Sequence, residues 1–301
     1  MLIEAGDRAQ LACLLEATAR KPGNVHRFAD FAGTSYLDFV ASSQVVGRVL
    51  RAETVVNTGV GPAVEQAVRE TIHQVGTNTN LGMILLLAPL VAVPDGIEQR
   101  AGVANVLSHL TVSDARAVYR AIRRASPGGL GSAPEQDVAA EPTVTLRQAM
   151  AVAADRDGVA RQYANNFADV FDLGLPALEQ GMKSGWSLEQ AIVACHLRLM
   201  AELPDTLVMR KCGKPVAEES ARRAAEVLER GWPESEAGRH EIVRLDQWLR
   251  ADGNKRNPGT TADLVAAVLF AALTLGLIAV PILWSQSFDR ADPALNGLCA
   301  P

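Results

Sequence analysis

Apolar positions recur at three- and four-residue spacing through most of the chain. Between residues 5 and 20 they fall at Ala9, Leu11, Ala12, Leu14, Leu15, Ala17 and Ala19. That spacing lays one apolar face along an α-helix, and Lys21-Pro22-Gly23 ends it. The same pattern predicts helices over 36–50, 63–75, 81–93, 97–110 and 114–125, the last capped by Ser113. It resumes over 146–171 with an interruption near Asp157-Gly158, then over 175–181, 188–203, 215–230 and 242–251. No stretch alternates with the two-residue period of a strand. The expected fold is all-α: a single compact multi-helix domain over 1–301, with a long loop at about 126–145 and a polar tail at 285–301.

One run stands apart. Residues 264–286 carry no charge and are numerous enough to cross a bilayer. The run is rich in alanine, holds Thr274, Gly276 and Pro281, and follows the polar stretch 257–263. A helix apolar on every side also suits the centre of a large helical protein, so a buried C-terminal helix is expected and no membrane partner.

Composition supports the helical reading. Hydrophobic residues make up 48% of the chain and aromatic residues only 5%, with alanine, leucine and valine dominant. Alanine and leucine favour helix. The net charge is −5 with acids and bases interspersed, which argues against nucleic acid as a partner. Cys13, Cys195, Cys212 and Cys299 form no CxxC pair, and residues 1–8 lack a targeting pattern. Reduced thiols and a cytoplasmic location are expected. His26, His73, His109, His196 and His240 show no ligand spacing, so no zinc is expected, nor flavin or haem. A homo-oligomer stays open.

Five polar stretches interrupt the apolar helices: Lys21–Arg27 with Asp30 and Asp38 beyond it, Thr77–Gly82, Tyr163–Asp172, Asp205–Lys214 and Lys255–Asp263. Three of them join two or more cations to a glycine. Cations beside a close-approaching backbone suit a polyphosphate. Thr77-Asn78-Thr79-Asn80-Leu81-Gly82 runs straight into an apolar segment. It serves as an ordinary cap or as a cradle for phosphate or ribose. Asn165, Asp169 and Asp172 lie at i, i+4 and i+7, on one face of the expected helix. That face is either solvated or a Mg²⁺ site, since Mg²⁺ binds phosphates through one or two acids and water.

Taken in order, the motifs resemble those of the triphosphoribosyl-dephospho-CoA synthases. The family pattern has a KPG loop followed by arginine and an acid, a V-N-T-H-K-G motif before an apolar helix, a D-T-N…R-x-G motif, and S-P-G-G-x-A-D before a final apolar helix. This chain supplies Lys21-Pro22-Gly23 with Arg27 and Asp38, then 77–82, Asp205-Thr206 with Arg210 to Gly213, and 257–263. It departs at Asn80-Leu81, where the family has His-Lys, at Leu207 for the asparagine of D-T-N, and at Thr260 for a glycine. The middle section, 128–130 and 163–172, is more similar to an archaeal-type branch that also occurs in bacteria with tetrahydromethanopterin-linked one-carbon metabolism.

The resemblance implies an all-α transferase. It implies ATP and 3′-dephospho-CoA, or another small-molecule acceptor, as substrates, and Mg²⁺ with the ATP. It implies Asp38, Asp205 and Asp263 as catalytic carboxylates. Lys21, Gly23, Arg27, Thr77, Asn78, Asn80, Gly82, Arg210, Asn257 and Gly259 would bind phosphate or substrate; Asp169 and Asp172, from their own spacing, are the candidate Mg²⁺ ligands. Two other readings compete: an N-glycosidic enzyme of ADP-ribose-hydrolase type, and a nucleotide-binding protein without catalysis.

Overall fold

The structure, a computed structural model, describes residues 3–129 and 131–282. Among these residues there is no strand. Fifteen α-helices and one π-helix carry the chain, and two isolated bridges, His26 with Ala29 and Phe31 with Thr34, pin successive turns. Two compact units can be distinguished. Of the described residues, the first takes those within 3–14 and 37–168, the second those within 15–36 and 169–282.

The first unit holds most of α1 (Ala5–Thr18) and α2 (Tyr36–Val49), then α3 (Ala52–Thr58), α4 (Val60–Val75), α5 (Leu81–Val91), α6 (Gln99–Ser108), α7 (Val112–Ala125), α8 (Leu146–Ala153) and α9 (Gly158–Asn165). Helix α5 is apolar on every side, and ten of its eleven residues are buried. Tyr163 of α9 locks against it, donating its hydroxyl to the Leu85 carbonyl at 2.6 Å. Helices α4 and α7 cross closely at Gly61, where a Cβ would stand 2.4 Å from the Asp114 Cα. Asp114 also accepts from the Gly61 N–H at 2.8 Å. The start of α7 is set by Thr111 in a capping box with Asp114, not by Ser113.

The second unit contains the loop from 19 to 35, the π-helix Asp169–Gly174, and α10 (Leu175–Lys183), α11 (Leu188–Glu202), α12 (Thr206–Cys212), α13 (Lys214–Glu229), α14 (Glu236–Arg250) and α15 (Gly259–Thr274). Val193, Leu197 and Met200 of α11 pack with Ala224 and Val227 of α13 and Ile242, Leu245 and Leu249 of α14. Helix α15 begins five residues before the expected apolar run and stops at Thr274, with Gly276 in a left-handed turn. Thirteen of its sixteen residues are buried. No helix of the described residues is long and apolar enough to cross a membrane. The expected tail at 285–301, with Cys299, lies outside the described residues, as does Leu130 of the glycine-rich loop.

The expected helix over 146–171 is corrected. Asp157 caps α9, which ends at Asn165 because Asn166 and Phe167 both take left-handed backbone, φ 57° and 60°. Asn165, Asp169 and Asp172 therefore do not share one α-helical face: Asp169 opens the π-helix, and Asp172 lies within it.

Candidate active site

In the second unit, three of the polar motifs are tied together by direct hydrogen bonds. The turn at Gly23 requires glycine, since its φ is +76° and a Cβ would meet Leu249 at 2.8 Å and Pro258 at 2.9 Å. Its N–H donates to Asp246 Oδ1 at 2.7 Å. Asp246 also holds Arg250 at 2.9 Å, and Arg250 donates to the Asn24 carbonyl at 2.5 Å. The Asn24 amide donates to Asn257 Oδ1 at 2.7 Å, joining the KPG loop to the stretch before α15. That stretch meets α12 in turn. Thr206 and Thr260 hydroxyls lie 3.0 Å apart, and a Cβ on Gly259 would stand 2.6 Å from Leu207 Cδ2.

Asp205 is the hub of this contact. One oxygen accepts from Leu207 N at 2.8 Å and Val208 N at 3.0 Å, capping α12. The other accepts from Thr261 N at 2.7 Å and Thr261 Oγ1 at 2.9 Å, at the start of α15. A carboxylate offers about four acceptor directions, and all are used. Burial raises the Asp205 pKa in spite of the Thr261, Val208 and Leu207 donors. In this structure Asp205 braces two helix starts.

Lys21 is also tied within the fold. It is wholly buried, and its ammonium binds Glu16 Oε1 at 2.9 Å and the Glu16 carbonyl. A buried ammonium must be paired, and Glu16 supplies the pair within the fold. Burial raises the Glu16 pKa against the pull of Lys21.

Arg27 is held by a residue that the sequence pattern does not single out. Glu189 of α11 receives Arg27 at 2.6 and 2.9 Å and Arg20 at 2.9 and 3.1 Å. Burial works against the Glu189 charge, but the hydrogen bonds of the two guanidiniums outweigh it and hold the pKa below the usual carboxylate range. Two cations on one buried carboxylate leave a net positive charge. The Arg27 guanidinium lies 4.7 Å from the ring of Phe28, which is 40% exposed. His26 is buried within this group. Burial, then the charges of Arg250, Lys21, Arg27 and Arg20, push its pKa down to about 2, so the imidazole is neutral.

The remaining candidates of this unit are more open. Asp263 is half-buried in the first turns of α15, and Arg210 is half-buried in the last turn of α12. Asp169 is half-buried and Asp172 exposed on the π-helix.

The first unit carries the second group. Asp38 is half-buried in the first turn of α2, and its carbonyl accepts from Ser42 Oγ at 2.6 Å. Ser42 Oγ in turn lies 2.5 Å from Thr79 Oγ1, so the start of α2 is joined to the Thr77–Gly82 motif. Asn78 Oδ1 accepts from the Leu81 N–H at 3.1 Å. Thr77 is exposed, Gly82 is half-buried, and Asn80 is 3% exposed.

The model of the ATP:dephospho-CoA triphosphoribosyl transferase family matches residues 3–279. The chain belongs to that family. Relatives named 2-(5″-triphosphoribosyl)-3′-dephosphocoenzyme-A synthase include one from Klebsiella pneumoniae, 36% identical over 37% of this chain and 39% of its own length. Another, from Pseudomonas fluorescens, is 29% identical over 70% of this chain and 64% of its own. A third, from Pseudomonas savastanoi, is 35% identical over 38% of each chain. The chain thus matches less than two thirds of the length of these curated relatives. A solved structure of an Archaeoglobus fulgidus protein named for triphosphoribosyl-dephospho-CoA synthase aligns with a TM-score of 0.60 at 26% identity, covering 80% of this chain and 98% of that one.

Within the triphosphoribosyl transferase family, the motifs of this chain thus divide by unit. The KPG loop, Asp205-Thr206 and Asn257–Asp263 are bonded together in the second unit, and Asp38 meets Thr77–Gly82 in the first. Sequence reasoning missed Arg20, Glu16, Glu189, Asp246 and Arg250. The only signal was that Asp246 and Arg250 stand four apart on a helix.

Proposed function

We propose that the protein transfers the 5-triphosphoribosyl group of ATP to the ribose 2′-hydroxyl of 3′-dephospho-CoA, releasing adenine. The family match over residues 3–279 carries this reading. In the reaction, the bond between C1′ and the adenine nitrogen breaks, and the base leaves with the electron pair and gains a proton. The acceptor oxygen bonds to C1′ and loses its proton. The transition state resembles an oxocarbenium ion, so it needs a carboxylate for the hydroxyl proton or the positive charge, and cations for the triphosphate.

In the second unit, which also holds Arg27 and Arg210, Asp263 is the half-buried carboxylate that we assign to these duties; in the first unit Asp38, also half-buried, is a separate candidate for the same role. Arg27 and Arg210 are assigned to phosphate. The net positive charge around Glu189 supports Arg27, although its guanidinium is already bonded to that carboxylate. Among the described residues no three His, Cys, Asp or Glu side chains form a metal cluster. Mg²⁺ carried by ATP needs only one or two carboxylates, because phosphate and water complete its shell. Asp169 with Asp172 is the pair we assign to that requirement, with Asp263 the alternative. When bound, Mg²⁺ would neutralise phosphate charge.

Asn80-Leu81 in place of the family's His-Lys is the observation behind a second reading, a diverged transferase acting on another acceptor. The test is incubation with ATP, Mg²⁺ and either dephospho-CoA or pterin and ribosyl acceptors, with mass analysis of products. Free adenine with a triphosphoribosylated dephospho-CoA supports the main reading. Adenine release with another acceptor alone supports a diverged transferase. Nucleotide binding without adenine release would overturn both.

A further inference from the structure

Asn80 occupies the N-cap position of α5 but makes no capping hydrogen bond. Asn78 does that work instead, through its bond to the Leu81 N–H. The Asn80 side chain is left with Nδ2 and Oδ1 both buried and both without a partner. Leaving a buried polar atom unpaired costs about 1–3 kcal/mol, so such a pair calls for an explanation. Its own helix start brings no charge to it. The next residue, where the family has lysine, is the buried Leu81, and the first turn of α5 has no acid.

An asparagine amide offers one donor and one acceptor side by side in a plane. Phosphate oxygens only accept: they would satisfy Nδ2 and leave Oδ1 facing another oxygen. A purine edge satisfies both atoms at once, as in the bidentate pairing of asparagine with the amino group and ring nitrogen of adenine. We propose that Asn80 reads the adenine edge of a substrate, which makes it a specificity-determining residue. This rests on the nucleotide reading above. It makes the α5 N-terminus of this chain a base subsite. Both ATP and dephospho-CoA contain adenine, so the shared chemistry is the edge itself.

The test uses the full chain in titration calorimetry with ATP, dephospho-CoA, inorganic triphosphate and purine riboside triphosphate, which lacks the amino group. Asn80→Ala is expected to weaken ATP, dephospho-CoA or both by roughly tenfold or more. The affected ligand identifies which adenine is read. Inorganic triphosphate should bind wild type and variant alike. If dephospho-CoA is unaffected, purine riboside triphosphate should already bind wild type weakly. Asn80→Leu should keep or raise the unfolding midpoint, since it removes unpaired polar atoms. The proposal is overturned if triphosphate loses as much affinity as ATP, if no ligand responds, or if Asn80→Leu lowers the midpoint as a water-bridged structural amide would. Wild-type protein that binds neither nucleotide would instead overturn the transferase reading, and this proposal with it.

Discussion

Two buried imidazoles each make the fold sensitive to pH at the scale of single residues. His26 and His196 are both fully buried. Burial, with Lys21 adding its charge, also lowers the His196 pKa well below its ordinary value. The unfolded chain accepts a proton on each near pH 6.5, and the folded state refuses it. Their contribution is complete above that pH and is lost as pH falls, by about 1.4 kcal/mol per unit for each imidazole. For His26 the decline continues to a pKa of about 2. Glu16, Asp205 and Asp246 have raised pKa values and act with the opposite sign, because protonation favours their folded form. A wild-type comparison with His196→Gln cancels them. Urea unfolding at pH 6 and pH 5 should show the variant losing about 1.4 kcal/mol less over that unit. Equal losses would mean that His196 takes up its proton inside the fold without cost. Burial is also what hid the true position of Lys21. A lysine beside proline and glycine reads as a helix end or a phosphate ligand, and its ion pair with Glu16 emerges only once the turn at Gly23 directs it inward.

At the scale of elements, most helices were legible because their apolar faces repeat over ten or more residues. The two that escaped notice, α3 and α12, have seven residues each, too few for a period to show. Helix α12 reads in sequence as a polar motif because its cap, Asp205, looks the same whether it holds a helix or a substrate. The break at Asn166-Phe167 had half a signal. Asparagine tolerates left-handed backbone, but phenylalanine gives no such hint. Asp205 offers the direct test of an element-level role. Asp205→Asn would keep one acceptor oxygen and turn the other into an amide donor opposing a donor, either at the α12 cap or at Thr261. The expected loss is about 2–4 kcal/mol, the worth of two caps with an unpaired donor. Thermal or chemical unfolding measures it. A variant as stable as wild type would remove the brace, and activity lost beyond the unfolded fraction would restore a chemical role.

On the scale of the whole molecule, the motifs named the family, while the wiring among them was out of reach of the sequence. Nothing in a linear pattern shows that Arg27 meets a carboxylate 162 residues later, or that Gly23 meets one 223 residues later. The same separations bear on how the protein is made. The KPG loop leaves the ribosome early, and its partners Glu189, Asp246 and Asn257 are not yet synthesised. At about 5–20 residues per second, the loop waits roughly 10–45 s for Asp246. Over that interval Arg20 and Arg27 lack their carboxylate or have only part of their final surroundings. Trypsin should therefore cut after both in chains stalled at residue 180, and spare them in the released protein. If the stalled chains resist as well, some earlier contact shelters the loop. Otherwise the second unit is a structure whose opening segment is translated first and fixed last, and a nascent chain interrupted late in synthesis exposes its most basic loop to whatever anions the cell provides.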